Sequence, residues 1–195
     1  SSGGSIHIIR RARKRGVRVT TEVTPHHFTL TDECLRTFDS NYKMNPPLRG
    51  PGHVQACIEG LQDGTIDCIV TDHAPHAKEK KMRELDQAPF GVVGLETALG
   101  LVVTRLIEPG HLTWSQALEK MTINPARVIG VPKGTLAAGA DADVVVIDPK
   151  ARWKVDPAKF LSKSTNTPFA GWELTGRADA VIVGGRLKFQ RQGGQ

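Results

Sequence analysis

The run TDHAPH, residues 71–76, holds the side chains of this sequence that are best suited to chemistry. Asp72 follows the apolar run IDCIV, and His73 and His76 come shortly after it. A carboxylate beside two imidazoles can bind a metal ion, accept a proton or pair with an imidazolium. An aspartate after a strand is also a common helix N-cap, so Asp72 alone is ambiguous. The whole run, with Pro75 fixing the loop, predicts a metal or acid–base site.

Two histidines in the run EVTPHH follow another predicted strand and would face the same rim. His26 and His27 could bind a metal ion there, or they could pack as a structural rim element. The structural role is the favoured interpretation. Pro25 ends the preceding strand, because its ring removes a backbone hydrogen-bond donor.

Two further loops could contact a substrate. The proline-rich run NYKMNPPLR, residues 41–49, carries several polar side chains, among them Asn45. Such a loop can offer amides to an anionic substrate, or it can be a stiff crossover without a ligand, and the residues leave both possibilities open. Phe90 and Gly91 lie where another loop re-enters the fold. A glycine there permits close backbone approach to a ligand, but a plain turn before a helix explains it equally well.

Helices and strands in alternation must position these loops. Apolar periodicity predicts helices over residues 5–16, 53–62 and 94–107, and strands over residues 17–23 and 66–70. This alternation is typical of a parallel α/β layer, in which functional loops follow the carboxyl ends of the strands. The polar stretch of residues 72–94 is then a long loop of the kind that usually carries function.

The pattern changes near residues 131–139. Beyond that point the runs ADVVVID, RWKVD and ADAVIVGGRLKFQ are β-rich and separated by Gly, Asp and Pro. We therefore predict two parts: residues 1–131 carry the α/β layer, and residues 132–195 form a small β module.

Composition narrows the class of protein. The chain has 195 residues, of which 39% are hydrophobic and 24% charged, as in ordinary globular domains. No apolar run approaches the roughly 18 residues of a membrane span, so no membrane partner is expected. The net charge is +6, but aromatic residues make up only 5%, which argues against a nucleic-acid partner. Three scattered cysteines without a CxxC spacing indicate a reducing, cytoplasmic location.

Several runs together resemble the bacterial dihydroorotases of the cyclic amidohydrolase group. The resemblance rests on EVTPHH, NYKMNPPLR, DGTIDCIVTDHAPH, PFGVVGLET and NPARVIG, and continues through GTLAAGADADVVVID and SKSTNTPFAGWELTGR. These runs occur in order over most of the chain. TDHAPH and KMNPPLR are the specific ones, whereas AGADADVVVID is shared widely among amidohydrolases.

The resemblance implies the C-terminal part of a (β/α)8 barrel followed by a small β-sandwich module. It implies zinc-dependent, reversible conversion of dihydroorotate to N-carbamoyl-aspartate in pyrimidine biosynthesis. By position, Asp72 would be a zinc ligand and the acid–base residue that delivers a proton to the departing ring nitrogen. Asn45, His76, Phe90 and Gly91 match substrate-binding positions, and His76 would meet the substrate carboxylate.

The family's other metal ligands, including an HxH pair, do not occur in this sequence. The resemblance therefore implies one or two zinc ions with most ligands upstream of Ser1, and a C-terminal fragment that is inactive without the missing barrel part. A homo-oligomer is expected when the protein is complete. Two alternatives stay open: another cyclic amidohydrolase (dihydropyrimidinase, hydantoinase or allantoinase), and a non-catalytic dihydroorotase-like subunit that scaffolds aspartate transcarbamoylase.

Overall fold

A computed structural model of the protein describes residues 1–191. The helices are α1 (Gly3–Lys14), α2 (Pro51–Gln62), α3 (Lys78–Lys81), α4 (Ala98–Val102), α5 (Trp114–Met121) and α6 (Ile123–Ile129). The strands are β1 (Glu22–Val23), β2 (Cys68–Ile69), β3 (Val144–Lys154), β4 (Glu173–Val183) and β5 (Arg186–Gln190). Short 3-10 turns cover Pro25–Phe28, Asp32–Thr37, Ser40–Tyr42 and Pro157–Lys159. Among the described residues, no helix is long and apolar enough to cross a membrane.

The predicted parallel α/β layer is confirmed. Strands β1 and β2 pair in parallel, with Glu22 opposite Cys68 and Val23 opposite Ile69. Both strands are shorter than predicted over residues 17–23 and 66–70. Within residues 1–191 each has only the other as a neighbour, so much of their length lacks a ladder partner.

Helix α1 begins earlier than predicted and ties the two strands together. Ser2, not Ser5, is the N-cap, and its hydroxyl accepts a hydrogen bond from the Ser5 N–H at 3.1 Å. Arg13 near its end donates to the Val19 carbonyl at 2.9 Å and pairs with Asp67, whose carboxylate also accepts from Thr21. These bonds fix the segment that leads into β1 against the segment that leads into β2.

A core under this layer is built from both strands and four helices, α1, α2, α4 and α5. It contains Ile6, Val23, Phe28, Cys57, Ile58, Leu61, Ile66, Ile69, Val102, Leu106, Leu112 and Ala117. Because β1 and β2 pair in parallel, their carboxyl ends open at one edge of the layer. The loops that follow these strands therefore lie at the same rim.

The predicted helix over residues 94–107 differs in the structure. The α-helix starts at Ala98 and gives way to a π-helical turn over Val103–Ile107, marked by the Glu108 N–H donating to the Val103 carbonyl at 2.9 Å. This turn lies against β4, where Thr104 Oγ1 accepts from the Thr175 N–H at 2.9 Å. Contact with the later β segment, which no helical periodicity reveals, explains the departure.

The predicted β module contains a three-stranded antiparallel sheet in the order β3-β4-β5. A second core joins it to the helical part, since Val155, Phe169 and Leu174 pack with Leu30, Met44, Leu48, Val92 and Leu101. The boundary between residues 1–131 and 132–195 remains a prediction, and residues 192–195 of the predicted module lie outside the described residues.

Candidate active site

Asp72 lies at the rim, three residues after β2. Its backbone has a positive φ of 49°, in the left-handed region that aspartate tolerates better than most residues. The side chain is exposed, and within residues 1–191 its carboxylate accepts no hydrogen bond. Burial lowers the pKa of the nearby His27, and the Asp72 carboxylate lies close enough to oppose that shift. An exposed, unpaired carboxylate at this edge is free to exchange protons or bind a cation.

His73 is held within the chain through its backbone and one ring nitrogen. Its backbone bridges to Val92, and its Nδ1 accepts a hydrogen bond from the Gly94 N–H at 3.1 Å. These bonds fasten the loop after β2 to the loop that contains Phe90 and Gly91. The structure therefore gives His73 a local structural role.

His76 is bound on one ring nitrogen. Its Nε2 donates to the Phe90 carbonyl at 2.7 Å, because a carbonyl oxygen can only accept. The other nitrogen, Nδ1, has no partner among the described residues. A neutral His76 thus offers an acceptor, whereas a protonated one offers a donor suited to a carboxylate.

Phe90 and Gly91 form a second wall beside His76. The Phe90 ring is 54% exposed, and the Lys43 ammonium lies 4.6 Å from its centroid. Gly91 has a φ of 108°, and a Cβ there would lie 2.5 Å from the Ala74 Cβ. The absence of a side chain at Gly91 thus allows Ala74 of the same chain, rather than a ligand, to approach the backbone closely.

Asn45 is exposed and makes no hydrogen bond within the described part of the chain. The loop around it is anchored by its neighbours, since Met44 and Leu48 are buried in the second core. The Pro46 carbonyl accepts a hydrogen bond from His27 Nε2 at 2.9 Å, which joins this loop to the EVTPHH segment. The structure brings Asn45, Asp72, His76, Phe90 and Gly91 into loops that contact one another.

His26 and His27 are buried rim residues, as the favoured interpretation expected. The ring nitrogens of His27 are both engaged, with Nδ1 accepting from the Thr24 hydroxyl at 2.7 Å and Nε2 donating to Pro46. His26 is 2% exposed, and its Nε2 has no hydrogen-bond partner among the described residues. Burial, the neighbouring His27 and the chain's terminal ammonium lower the pKa of His26 to about 3.

Stability should therefore fall in mild acid through His26. The pKa drops from 6.5 in the unfolded chain to about 3 in the folded chain, so the unfolded state binds more protons between these values. We expect His26 to account for about 2–3 kcal/mol of the stability lost between about pH 7 and about pH 4.5. Urea unfolding at about pH 7 and about pH 4.5 measures the difference in unfolding free energy. His26→Gln should reduce the loss by this amount and the exposed His7→Gln should not; an equal loss in all three proteins would contradict the assignment.

The sequence analysis assigned no role to two residues of the site. Asn166, 6% exposed, lies ninety residues beyond His76 and accepts from its backbone N–H at 3.1 Å. Lys81, 3% exposed, ends the short helix α3 inside the stretch predicted as loop. Its ammonium donates to the carbonyls of Lys43 and Pro89 at 3.2 and 2.9 Å. An asparagine and one lysine of a basic run do not stand out among surface residues of the same types.

The described residues do not complete a catalytic zinc site. Such a site needs about three protein ligands, and within residues 1–191 no group of three or more His, Cys, Asp or Glu side chains could hold a metal ion. The exposed Asp72 carboxylate could serve as one metal ligand. Both ring nitrogens of His27 are engaged, and the buried His26 belongs to no group of three or more such side chains among the described residues.

Comparison with known proteins yields one family and a consistent set of relatives. The model of the amidohydrolase family matches residues 5–188. A curated dihydroorotase from Pelotomaculum thermopropionicum is 60% identical over 190 residues, which cover 97% of this chain and 44% of that protein. One from Syntrophus aciditrophicus is 52% identical with the same coverage.

Solved structures agree on the fold. The L-hydantoinase (dihydropyrimidinase) from Arthrobacter aurescens superposes with a TM-score of 0.92 at 30% identity, over 97% of this chain and 43% of that one. A D-hydantoinase (dihydropyrimidinase) from Thermus sp. gives 0.89 at 28% identity with the same coverage. The chain thus spans less than half the length of the relatives it matches.

Proposed function

The chain belongs to the amidohydrolase family, and on this basis we propose that it forms the C-terminal part of a dihydroorotase. The complete enzyme would hydrolyse the cyclic amide of dihydroorotate reversibly to N-carbamoyl-L-aspartate, a step of pyrimidine biosynthesis. The observation that carries the proposal is the exposed, unpaired Asp72 carboxylate beside His76 at the rim where β1 and β2 end. Identities of 46–60% to curated dihydroorotases support the choice of substrate class.

Asp72 would move the proton in this reaction. Hydrolysis joins the oxygen of water to the amide carbonyl carbon and breaks the bond from that carbon to the ring nitrogen. The Asp72 carboxylate would take a proton from the attacking water and deliver it to the departing nitrogen, as general base and then general acid. Its lack of a competing hydrogen bond among the described residues supports this role.

The substrate would bind to the surrounding loops. A protonated His76 would donate from Nδ1 to the substrate carboxylate, and the exposed amide of Asn45 could bond the ring. The N–H and carbonyl of Gly91 are already bonded to Lys43 and Asn166, so Gly91 would contribute by shape. The Phe90 N–H has no partner within residues 1–191 and would be the donor on that wall.

Family membership implies a metal cofactor, and we propose one or two zinc ions with Asp72 as one ligand. The remaining ligands would come from the part of the relatives' length that this chain does not span. Bound zinc would polarise the carbonyl and lower the pKa of water. The complete protein would then be a (β/α)8 barrel with a β-sandwich module, and we propose that it is a cytoplasmic homo-oligomer.

A second candidate is hydrolysis of hydantoins or dihydropyrimidines. It is favoured by the TM-score of 0.92 to a hydantoinase, but identity to these structures is 22–30%, well below that to the dihydroorotases. The third possibility, a scaffold for aspartate transcarbamoylase, would leave the retained Asp72 and His76 without a chemical role.

A chimeric enzyme can test these candidates. In this assembled enzyme, the chain replaces the matching region of the Pelotomaculum thermopropionicum dihydroorotase, with the unmodified relative as control. We expect kcat/KM for dihydroorotate to exceed those for hydantoin, dihydrouracil and allantoin by at least about 100-fold, because a site built to pair the substrate's carboxylate rejects analogues without it. A preference for any of the other three would overturn the proposal, and loss of all turnover in a folded chimera would favour the scaffold.

A further inference from the structure

Asn166 joins two loops of the candidate site by three hydrogen bonds. For this purpose the aspartate loop is residues 71–76 and the glycine loop is residues 89–94. The Asn166 Nδ2 donates to the carbonyls of Ala74 at 2.9 Å and Gly91 at 3.2 Å, and its Oδ1 accepts from the His76 N–H at 3.1 Å. The Asn166 backbone carbonyl also accepts from the Val93 N–H at 2.9 Å. Only an amide side chain both donates twice and accepts in this way.

Lys81 joins the glycine loop to the asparagine loop, residues 43–49. Its ammonium donates to the Pro89 carbonyl in one and the Lys43 carbonyl in the other, and its own carbonyl accepts from the Ser40 hydroxyl. The buried ammonium forms no ion pair with a carboxylate among the described residues. Burial and repulsion from Lys43 lower its pKa to about 8, against a weaker opposite influence of Asp39.

A buried ammonium is costly to desolvate, so its presence between two carbonyls needs a reason. The loops have little regular structure of their own, and few bonds join them directly. The aspartate and glycine loops share the bridge of His73 to Val92, the Ala74 N–H that donates to the Val92 carbonyl at 2.9 Å and the Gly94 N–H that donates to His73 Nδ1 at 3.1 Å; the Gly91 N–H donates to the Lys43 carbonyl at 2.9 Å. Asn166 and Lys81 add further connections from outside the three loops.

We propose that Asn166 and Lys81 are positioning residues that hold the aspartate, glycine and asparagine loops in one arrangement. The inference rests on the proposed function only in that these loops carry Asp72, His76 and Asn45. Asn166 would fix His76 and the backbone after Asp72 relative to Gly91. Lys81 would set the distance between the wall at Phe90 and the loop of Asn45.

Hydrogen exchange in the 195-residue chain tests the positioning role without any substrate. In Asn166→Asp, which keeps the size and one acceptor but loses both donors, amides of Gly91 and Val93 should exchange at least about 10-fold faster. In Lys81→Met, the Gly91 amide should likewise exchange at least about 10-fold faster. In both variants the amides of α2 should stay protected. In the control variants Thr165→Ala and Lys80→Met, which change exposed side chains, the amides of Gly91, Val93 and α2 should all stay protected. If Asn166→Asp does not fold, Asn166→Ser serves the same comparison.

Kinetics in the assembled enzyme separate the two roles. Lys81→Met should raise KM for dihydroorotate about 10-fold and leave kcat within about threefold, since the lost ammonium bonds only to the loops of Asn45 and Phe90. Asn166→Asp should also lower kcat, because it disturbs the loop of Asp72. Unchanged exchange at Gly91 and Val93, or equal loss of protection in α2, would overturn the inference whatever the substrate. If the parent chimera hydrolyses no dihydroorotate, the proposed function fails and exchange alone decides this one.

Discussion

Replacing Asp72 by asparagine is expected to lower kcat of the assembled enzyme for dihydroorotate by about 10²–10⁴-fold. The amide cannot take a proton from water or return it to the ring nitrogen, and it is a weaker metal ligand than a carboxylate. Because Asp72 is exposed and accepts no hydrogen bond among the described residues, the substitution should leave stability within about 0.5 kcal/mol. Steady-state kinetics in both reaction directions, with thermal unfolding alongside, measure the two effects.

Asp86→Asn is the matched control for Asp72→Asn. Asp86 is an exposed aspartate of the same long segment, and only its backbone carbonyl is used, by the Lys43 ammonium at 2.9 Å. Its kcat should stay near that of the parent. A kcat for Asp72→Asn within about threefold of the parent would remove Asp72 from the proton-transfer role.

Gly91→Ala should have the second-largest effect. Its added Cβ would lie 2.5 Å from the Ala74 Cβ, and the φ of 108° is unfavourable for any L side chain. We expect the chain to lose about 2–4 kcal/mol of unfolding free energy, and KM for dihydroorotate to rise at least about 10-fold. The rise in KM follows because the aspartate and glycine loops must separate to admit the methyl group.

Gly110→Ala separates the two causes of this effect. Gly110 has a similar left-handed φ of 79°, but a Cβ there would meet nothing within 4 Å. It should cost about 1 kcal/mol from backbone strain alone and leave KM unchanged. Equal losses of stability in Gly91→Ala and Gly110→Ala would show that the contact with Ala74 is not tight.

Much of the rim could be predicted from the sequence because its signals are local. An apolar run followed by TDHAPH, and a second followed by PHH, predict two parallel strands whose ends meet, and β1 and β2 do pair in parallel. The same reasoning indicated that His26 and His27 pack at the rim, and their burial agrees with it. The role of Asp72 itself stays a proposal.

The parts that could not be predicted depend on contacts between distant segments. Asn166 reaches His76 across ninety residues, and although its run SKSTNTPFAGWELTGR belongs to the resemblance, nothing in that run predicts this contact. The π-helical turn at Val103–Ile107 arises where the helix meets β4. Within residues 1–191, β1 and β2 pair only with each other, and apolar patterning carries no information about which neighbours are present.

The most direct test compares the lone 195-residue chain with the assembled enzyme, each titrated with zinc and assayed with dihydroorotate at high protein concentration. Within residues 1–191 of the lone chain no three His, Cys, Asp or Glu side chains lie together as a metal site, so we expect no tight zinc binding and no turnover from it. The assembled enzyme should bind zinc, hydrolyse dihydroorotate, and lose activity on chelation and in Asp72→Asn. Clear turnover by the lone chain, or a zinc-loaded assembled enzyme that is indifferent to Asp72, would contradict the assignment of this chain as the Asp72-bearing part of a dihydroorotase site.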